Sequence, residues 1–145
     1  MKSIIFNVLT GLLLFFAPIN GLLVAVGAAI FLDTFTGVIK SIKNKGLSSI
    51  RSRIMSNTIS KMLLYEMCVI MLYPIDYFLL NELVFNLVSI EYFSTKLTCV
   101  VLIFVEGVSI KENIEETLNI KIWNLLKNAI NRAKEVKDDI SSLQE

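Results

Sequence analysis

The chain has 145 residues, of which 54% are hydrophobic and 19% are charged, and its formal net charge is +1. A soluble domain of this length cannot bury so much apolar surface, so the composition excludes an ordinary soluble protein and predicts a polytopic membrane protein. The absence of His removes the commonest general base and metal ligand. Cys68 and Cys99 fall in apolar segments, where we expect small buried apolar residues.

Residues 1–20 form an apolar segment ahead of the first predicted span. Lys2 precedes a mostly apolar run from Val8 to Ala17, which is shorter than the roughly 20 residues that a spanning helix needs. The pattern predicts a helix that lies in the membrane interface or packs on the protein. The segment lacks a small-x-small cleavage site, so we expect no signal-peptide cleavage. Pro18 and Asn20-Gly21 predict a break after it.

The first predicted span runs from Leu22 to Ile39. As a helix it would cover about 27 Å, close to the thickness of the hydrocarbon core. Small residues permit close helix–helix approach in lipid, although they are also simply common in spanning helices. We predict that they form a contact face, made of Ala25, Gly27, Ala28, Ala29 and Gly37.

Residues 40–61 are predicted to be a basic loop that contains no Asp or Glu. Its basic residues are Lys40, Lys43, Lys45, Arg51, Arg53 and Lys61. An excess of Lys and Arg beside a span is typical of a cytoplasmic loop, and such a loop can also bind anionic lipid headgroups. No aromatic residue interleaves the basic ones, so nucleic acid is not an expected partner.

The second predicted span runs from Met62 to Leu80, and the third from Phe93 to Ile110, with residues 81–92 outside. Glu66 lies about one turn inside the second span, where we expect it either to pair with Lys61 or to snorkel toward the interface. The far end of the second span carries Pro74, Asp76 and the interfacial aromatic residues Tyr73 and Tyr77. The third span returns the chain to the cytoplasm, with Lys96 near its outer end and Glu106 near its inner end.

Residues 111–145 form a charged helical tail. Their apolar residues are spaced alternately by four and three, as in the a and d positions of three heptads. This stripe either joins subunits in a bundle or coiled coil, or belongs to an amphipathic helix that lies on the membrane or on its own chain. Its members are Ile122, Leu126, Ala129, Ala133, Val136, Ile140 and Leu143.

Polar residues at membrane depth are the candidate functional residues, because ionisable groups there are expensive. The chain has no Gly-rich phosphate loop, no Cys-x-x-Cys and no evident nucleophile with its base, so we expect neither an enzyme nor a cofactor. Asp33 shares a helical face with Gly37, and Glu106 shares one with Ser109. An equally open interpretation is that Asp33 is purely structural. The candidate assembly or lumen residues are Asp33, Gly37, Glu66, Asp76, Glu106 and Ser109.

Two sequence blocks carry a resemblance to a known family. The first is Leu32-Asp33-Thr34-Phe35-Thr36-Gly37, followed by Ile39-Lys40-Ser41-Ile42-Lys43 and Gly46-Leu47-Ser48-Ser49. The second is Glu106-Gly107-Val108-Ser109-Ile110-Lys111-Glu112-Asn113. Together with the chain length, three spans and a charged tail, these blocks resemble the small phage-lysis and toxin-secretion holins, over roughly residues 22–130.

The segments together predict an all-α membrane protein with an N-terminal apolar helix (1–20), a three-span domain (21–110) and a cytoplasmic helical tail (111–145). The resemblance implies that its membrane is the bacterial cytoplasmic (inner) membrane. It implies a homo-oligomer that opens a lesion among membrane lipids and is paired functionally with a cell-wall hydrolase or a toxin. The main alternative is a non-lytic membrane scaffold or small subunit of a larger complex. A small selective transporter or channel is a further alternative.

Overall fold

The computed structural model describes residues 2–46 and 52–142, and every regular element in these two ranges is helical. Helix α1 (Lys2–Phe16) leads through a 3-10 turn (Ala17–Ile19) into α2 (Asn20–Lys45). The remaining elements are α3 (Ser52–Ile75), a π-helical segment (Asp76–Leu80), α4 (Asn81–Val88), α5 (Phe93–Leu118) and α6 (Ile122–Ser142). The predicted all-α class is confirmed.

Three helical runs are long and apolar enough to cross a membrane: Lys2–Asn44, Ile54–Leu80 and Phe93–Leu118. The first run contains both α1 and α2, so the break predicted at Pro18 and Asn20-Gly21 is only a 3-10 turn within a continuous helical run. Pro18 is tolerated there because a residue at the start of a helix has no intrahelical acceptor for its N–H group.

The helices extend further than the predicted spans. Residues 40–45 belong to α2 and residues 52–61 belong to α3, so most of the predicted basic loop is helical. Arg51 lies outside the described residues. At the same end of the bundle, α5 continues to Leu118, which makes the predicted start of the tail at residue 111 part of a spanning helix. These polar turns stay helical because they hydrogen-bond to one another across α2 and α5.

Helix α3 runs antiparallel to α2 and α5. At one end of the bundle Lys61 contacts Asp33 of α2 and Glu106 of α5. At the other end the ring of Tyr73 lies 5.8 Å from that of Phe16, and Asp76 bonds to Thr95 at the start of α5. Between these ends, α2 packs against α5 more extensively than any other pair of elements does.

A small apolar core joins the three helices. Its buried members are Ile19, Val26, Ile30, Val69, Tyr73 and Cys99. Most other apolar side chains are exposed, as expected for a bundle whose surroundings are lipid rather than water. Cys99 is buried as predicted, but Cys68 is exposed, because it lies on the outer face of α3.

The predicted small-residue face is divided between two neighbours. A Cβ atom on Gly27 would lie 3.5 Å from Glu66 and Met62 of α3, whereas one on Gly37 would lie 3.5 Å from Asn113 of α5. Ala29 is buried, while Ala25 and Ala28 remain exposed. The small residues therefore support close approach within the chain and leave part of α2 unpartnered among the described residues.

Candidate functional site

An ion-pair triad joins the three spans at the end of the bundle where α2 ends. The ammonium of Lys61 lies 2.9 Å from Oδ2 of Asp33 and 3.0 Å from Oε2 of Glu106. Asp33 is 8% exposed and Glu106 is 1% exposed, so both carboxyl groups are inside the bundle. One lysine thus serves two buried acids, one from each neighbouring helix.

Asn113 connects the triad to the last turns of α5. Its side-chain amide donates to Oδ1 of Asp33 at 3.1 Å, and its Oδ1 accepts from Lys40 at 3.4 Å. The absence of a side chain at Gly37 gives Asn113 room to lie against α2. Asp33 and Gly37 therefore do share a face, and that face is turned toward α5.

Two threonines extend the polar contact to α3. The hydroxyl groups of Thr34 and Thr58 lie 2.9 Å apart, and each is also 2.9 Å from the carbonyl oxygen four residues earlier in its own helix. Hydrogen bonds of this kind satisfy hydroxyl groups that lipid cannot solvate.

The polar groups line one cleft of about 240 Å³. Its walls are formed by residues of all three spans: Asp33, Thr34, Gly37, Ile54, Asn57, Thr58, Lys61, Ser109 and Asn113. Oε1 of Glu106 is buried and has no hydrogen-bond partner among the described residues. The site can hold charge and water at membrane depth, and it contains no evident catalytic pair.

Two of the predicted site residues lie away from the triad. Of the two arrangements expected for Glu66, the ion pair with Lys61 does not form: Glu66 lies against Gly27 in an apolar groove and makes no ion pair in the described chain. Snorkelling of Glu66 stays a prediction. Asp76 is 1% exposed near the opposite end, where its Oδ2 accepts 2.6 Å hydrogen bonds from the backbone N–H and the hydroxyl of Thr95. This carboxylate caps the first turn of α5, where negative charge is favourable.

The described basic residues mostly tie α2 to the end of α5. Lys40 lies 2.8 Å from Glu116, and Lys43 donates to the carbonyl oxygen of Thr117. The side chains of Lys45 and Arg53 lie outside the description. Lys40 and Lys43 lie between the triad and the ends of α2 and α5. The basic segment therefore contributes Lys61 as the ion-pair partner of the two acids, and Lys40 and Lys43 as contacts between α2 and α5.

The predicted tail stripe lies on α6. Leu126 is 50% exposed and Val136 is 57% exposed, and Ala129 and Ala133 are exposed as well. The side chain of Ile140 and all of Leu143 lie outside the described part of the chain. The structure contains one chain, so contact between copies through this stripe stays a prediction.

Sequence reasoning missed the roles of Lys61 and Asn113. A usable signal was present, because two acids at membrane depth require a base or amide at the same depth. Lys61 directly precedes the second predicted span, and Asn113 lies about two helical turns beyond Glu106. In the described ranges, no three His, Cys, Asp or Glu side chains are grouped closely enough to hold a metal ion.

Comparison with known proteins places these features in a family context. A model described as the bacteriophage holin family matches residues 10–135, which include the whole triad and most of α6. No curated protein and no solved structure matches the chain.

Proposed function

Because the chain belongs to the bacteriophage holin family, we propose that it oligomerises in the bacterial cytoplasmic membrane and opens a lesion. The lesion would let a cell-wall hydrolase, or a toxin, leave the cytoplasm. The observation that carries this proposal is the triad in which the half-buried Lys61 pairs with the buried carboxyl groups of Asp33 and Glu106. Ionisable groups inside a membrane-spanning bundle are expensive and are functional candidates by default.

The triad supports a two-state mechanism. In a dispersed chain, Lys61 offsets the two carboxylates, and the packed helices shield both carboxyl groups from lipid. In an assembled ring the same polar face of α2, α3 and α5 would turn toward water, where its solvation cost falls. The cleft beside the triad is a surface that could become part of such a lumen.

Assembly would use the surface that the single chain leaves unpartnered. Val24, Ala28, Phe31 and Glu66 line an open groove between α2 and α3. Helices approach closely in lipid where small residues interrupt the surface, and an intramembrane carboxyl group gains from a polar partner. A neighbouring subunit in this groove would supply both contacts.

The proposed topology places residues 40–61 and α6 in the cytoplasm and residues 81–92 outside, because Lys and Arg favour the cytoplasmic side. We expect a cysteine at position 86 to react with a membrane-impermeant maleimide in intact cells. A cysteine at position 44 should react only after the membrane is opened. Both substitutions, Asn44→Cys and Asn86→Cys, are to be made in a chain that carries Cys68→Ala and Cys99→Ala.

Efficient labelling of position 44 in intact, polarised cells would contradict this orientation. The alanine background without either new cysteine is the control for nonspecific reaction.

The lesion itself is tested by induced expression in a bacterium with and without a co-expressed cytoplasmic cell-wall hydrolase. We expect the membrane potential to collapse after a delay in both strains. We expect turbidity to fall sharply only when the hydrolase is present, because the hydrolase then reaches the wall. The same vector with a stop codon at Leu22 controls for induction.

If the protein accumulates in the membrane while the potential persists and the hydrolase stays inside, the lesion proposal fails. A non-lytic membrane scaffold would then be the better interpretation. Substituting a reporter-tagged toxin for the hydrolase distinguishes a general lesion from one that serves wall degradation alone.

A further inference from the structure

Helix α6 presents an apolar face that is broader than a coiled-coil seam. At 100° per residue, the apolar side chains of residues 122–136 fall within an arc of about 160°. Trp123 and Ile130 belong to this arc but not to the a/d stripe, and they are 72% and 56% exposed. A two-helix seam would cover only the narrower stripe and would leave both side chains in water.

Basic side chains border this face on both sides. Lys127 and Lys134 lie along one edge of α6, Arg132 lies along the other, and Lys121 directly precedes the first turn. Residues 117–134 contain no Asp or Glu. A helix with Trp, Leu and Ile on one face and Lys or Arg at the rim is typical of a helix that lies in the interface of an anionic bilayer.

The connection from α5 holds the start of α6 next to the end of the third helix that could span the membrane. Asn119, in the left-handed conformation (φ 52°), ends α5, and α6 begins only three residues later. The backbone N–H of Ile122 donates to Oε1 of Glu115 at 2.8 Å, which ties the first turn of α6 to the last turn of the spanning helix. The apolar face of α6 therefore starts beside the end of a candidate spanning helix.

We propose that residues 121–136 lie on the membrane surface at the end of α5, with the apolar face in the acyl boundary and the four basic residues against anionic lipid headgroups. The occupant of this face is thus an anionic lipid surface. Three features favour lipid over a second copy of the helix: the basic residues at the edges of the apolar face, the width of that face, and the connection of α6 to a candidate spanning helix. The inference does not depend on lesion formation.

The test uses the full chain, reconstituted in phosphatidylcholine vesicles with or without phosphatidylglycerol. Amide hydrogen exchange of residues 122–136 reports how often α6 leaves its bound state, because protection reflects an opening equilibrium. We expect stronger protection with phosphatidylglycerol, and we expect Lys127→Gln to lower it about fivefold in those vesicles. Trp123, the single Trp of the chain, should be quenched by lipids brominated near the headgroup end of the acyl chain.

A matched pair of substitutions separates lipid binding from a coiled-coil seam. Ile130→Asp puts a charge on the apolar arc outside the a/d stripe, whereas Asn131→Asp adds the same charge on the opposite face. We expect Ile130→Asp to abolish protection and Trp123 quenching, and Asn131→Asp to retain both. Protection of α5 residues 95–106 in the same samples verifies that each variant is folded.

If α6 binds lipid, the amide protection of residues 122–136 should not depend on the protein-to-lipid ratio. Protection that disappears on dilution in lipid, and that survives Ile130→Asp, would assign the face to a second copy and overturn the proposal. Equal protection with and without phosphatidylglycerol would overturn the role of anionic headgroups. An α6 that exchanges freely in both kinds of vesicle would overturn the proposal as a whole.

Discussion

Replacing Lys61 with methionine is expected to lower the free energy of unfolding by about 3 kcal/mol, because removing one partner of a buried ion pair leaves an uncompensated charge. Here the substitution would leave two carboxylates, those of Asp33 and Glu106, without their ion-pair partner. We place the effect near the lower end of the range for such changes because the Lys61 side chain is 39% exposed. Unfolding of the purified protein in mixed detergent micelles, followed by circular dichroism, measures the change.

Lys40→Met is the matched control. Lys40 also forms an ion pair, at 2.8 Å from Glu116. The two lysines are similarly exposed, at 29% and 39%, but the acid that Lys40 pairs with is 57% exposed, whereas Asp33 and Glu106 are buried. Exposed pairs contribute about 0–1 kcal/mol, so this variant should stay close to the unsubstituted protein. Equal losses of unfolding free energy for Lys61→Met and Lys40→Met would contradict the prediction that the triad stabilises the fold more than a surface ion pair does.

A triple variant distinguishes the effect of the Lys61 charge from the effect of its side-chain packing. Adding Asp33→Asn and Glu106→Gln to Lys61→Met removes both stranded charges and keeps groups that accept hydrogen bonds. We expect this triple variant to recover more than half of the lost stability, since an uncharged polar cluster costs less to bury than unpaired carboxylates. No recovery would mean that Lys61 acts through the packing of its methylene groups.

Gly37→Leu is expected to loosen the contact between α2 and α5 and to delay or abolish cell killing. A Cβ atom at this position already meets the side-chain nitrogen of Asn113 at 3.5 Å, so the rest of a leucine side chain would displace Asn113. Overpacking of this kind costs about 1–3 kcal/mol. Each lost hydrogen bond adds about 0.5–1.5 kcal/mol, including the bond from Asn113 to Asp33.

Two glycine variants serve as controls for this experiment. Gly37→Ala adds only the Cβ, which fits at ordinary contact distance, and Gly107→Leu adds a leucine to α5 where nothing lies within 4 Å of the Cβ position. Both should retain stability in micelles and the normal onset of the loss of membrane potential. If Gly107→Leu were as damaging as Gly37→Leu, the effect would reflect leucine itself or contacts between copies, and not the Asn113 contact.

The sequence by itself determined the membrane class, the helical class and the approximate positions of three spans. Hydropathy and local spacing are properties of neighbouring residues, so they can be read without knowledge of the fold. The same holds for the two holin-like blocks around Asp33 and Glu106, because each block is contiguous. Sequence reasoning also identified both acids of the triad, since charge at membrane depth is conspicuous in any apolar segment.

Only the tertiary structure decided which polar side chains contact one another. Lys61 is five residues from Glu66, a rotation of about 140° on a helix, so the two side chains face different neighbours. Lys61 instead reaches Asp33, 28 residues away, and Glu106, 45 residues away. These pairings require α3 to pack antiparallel against both α2 and α5, and the neighbouring contact of Asn113 requires a small residue at position 37. Such contacts depend on how helices pack across long sequence separations, which local patterns do not encode.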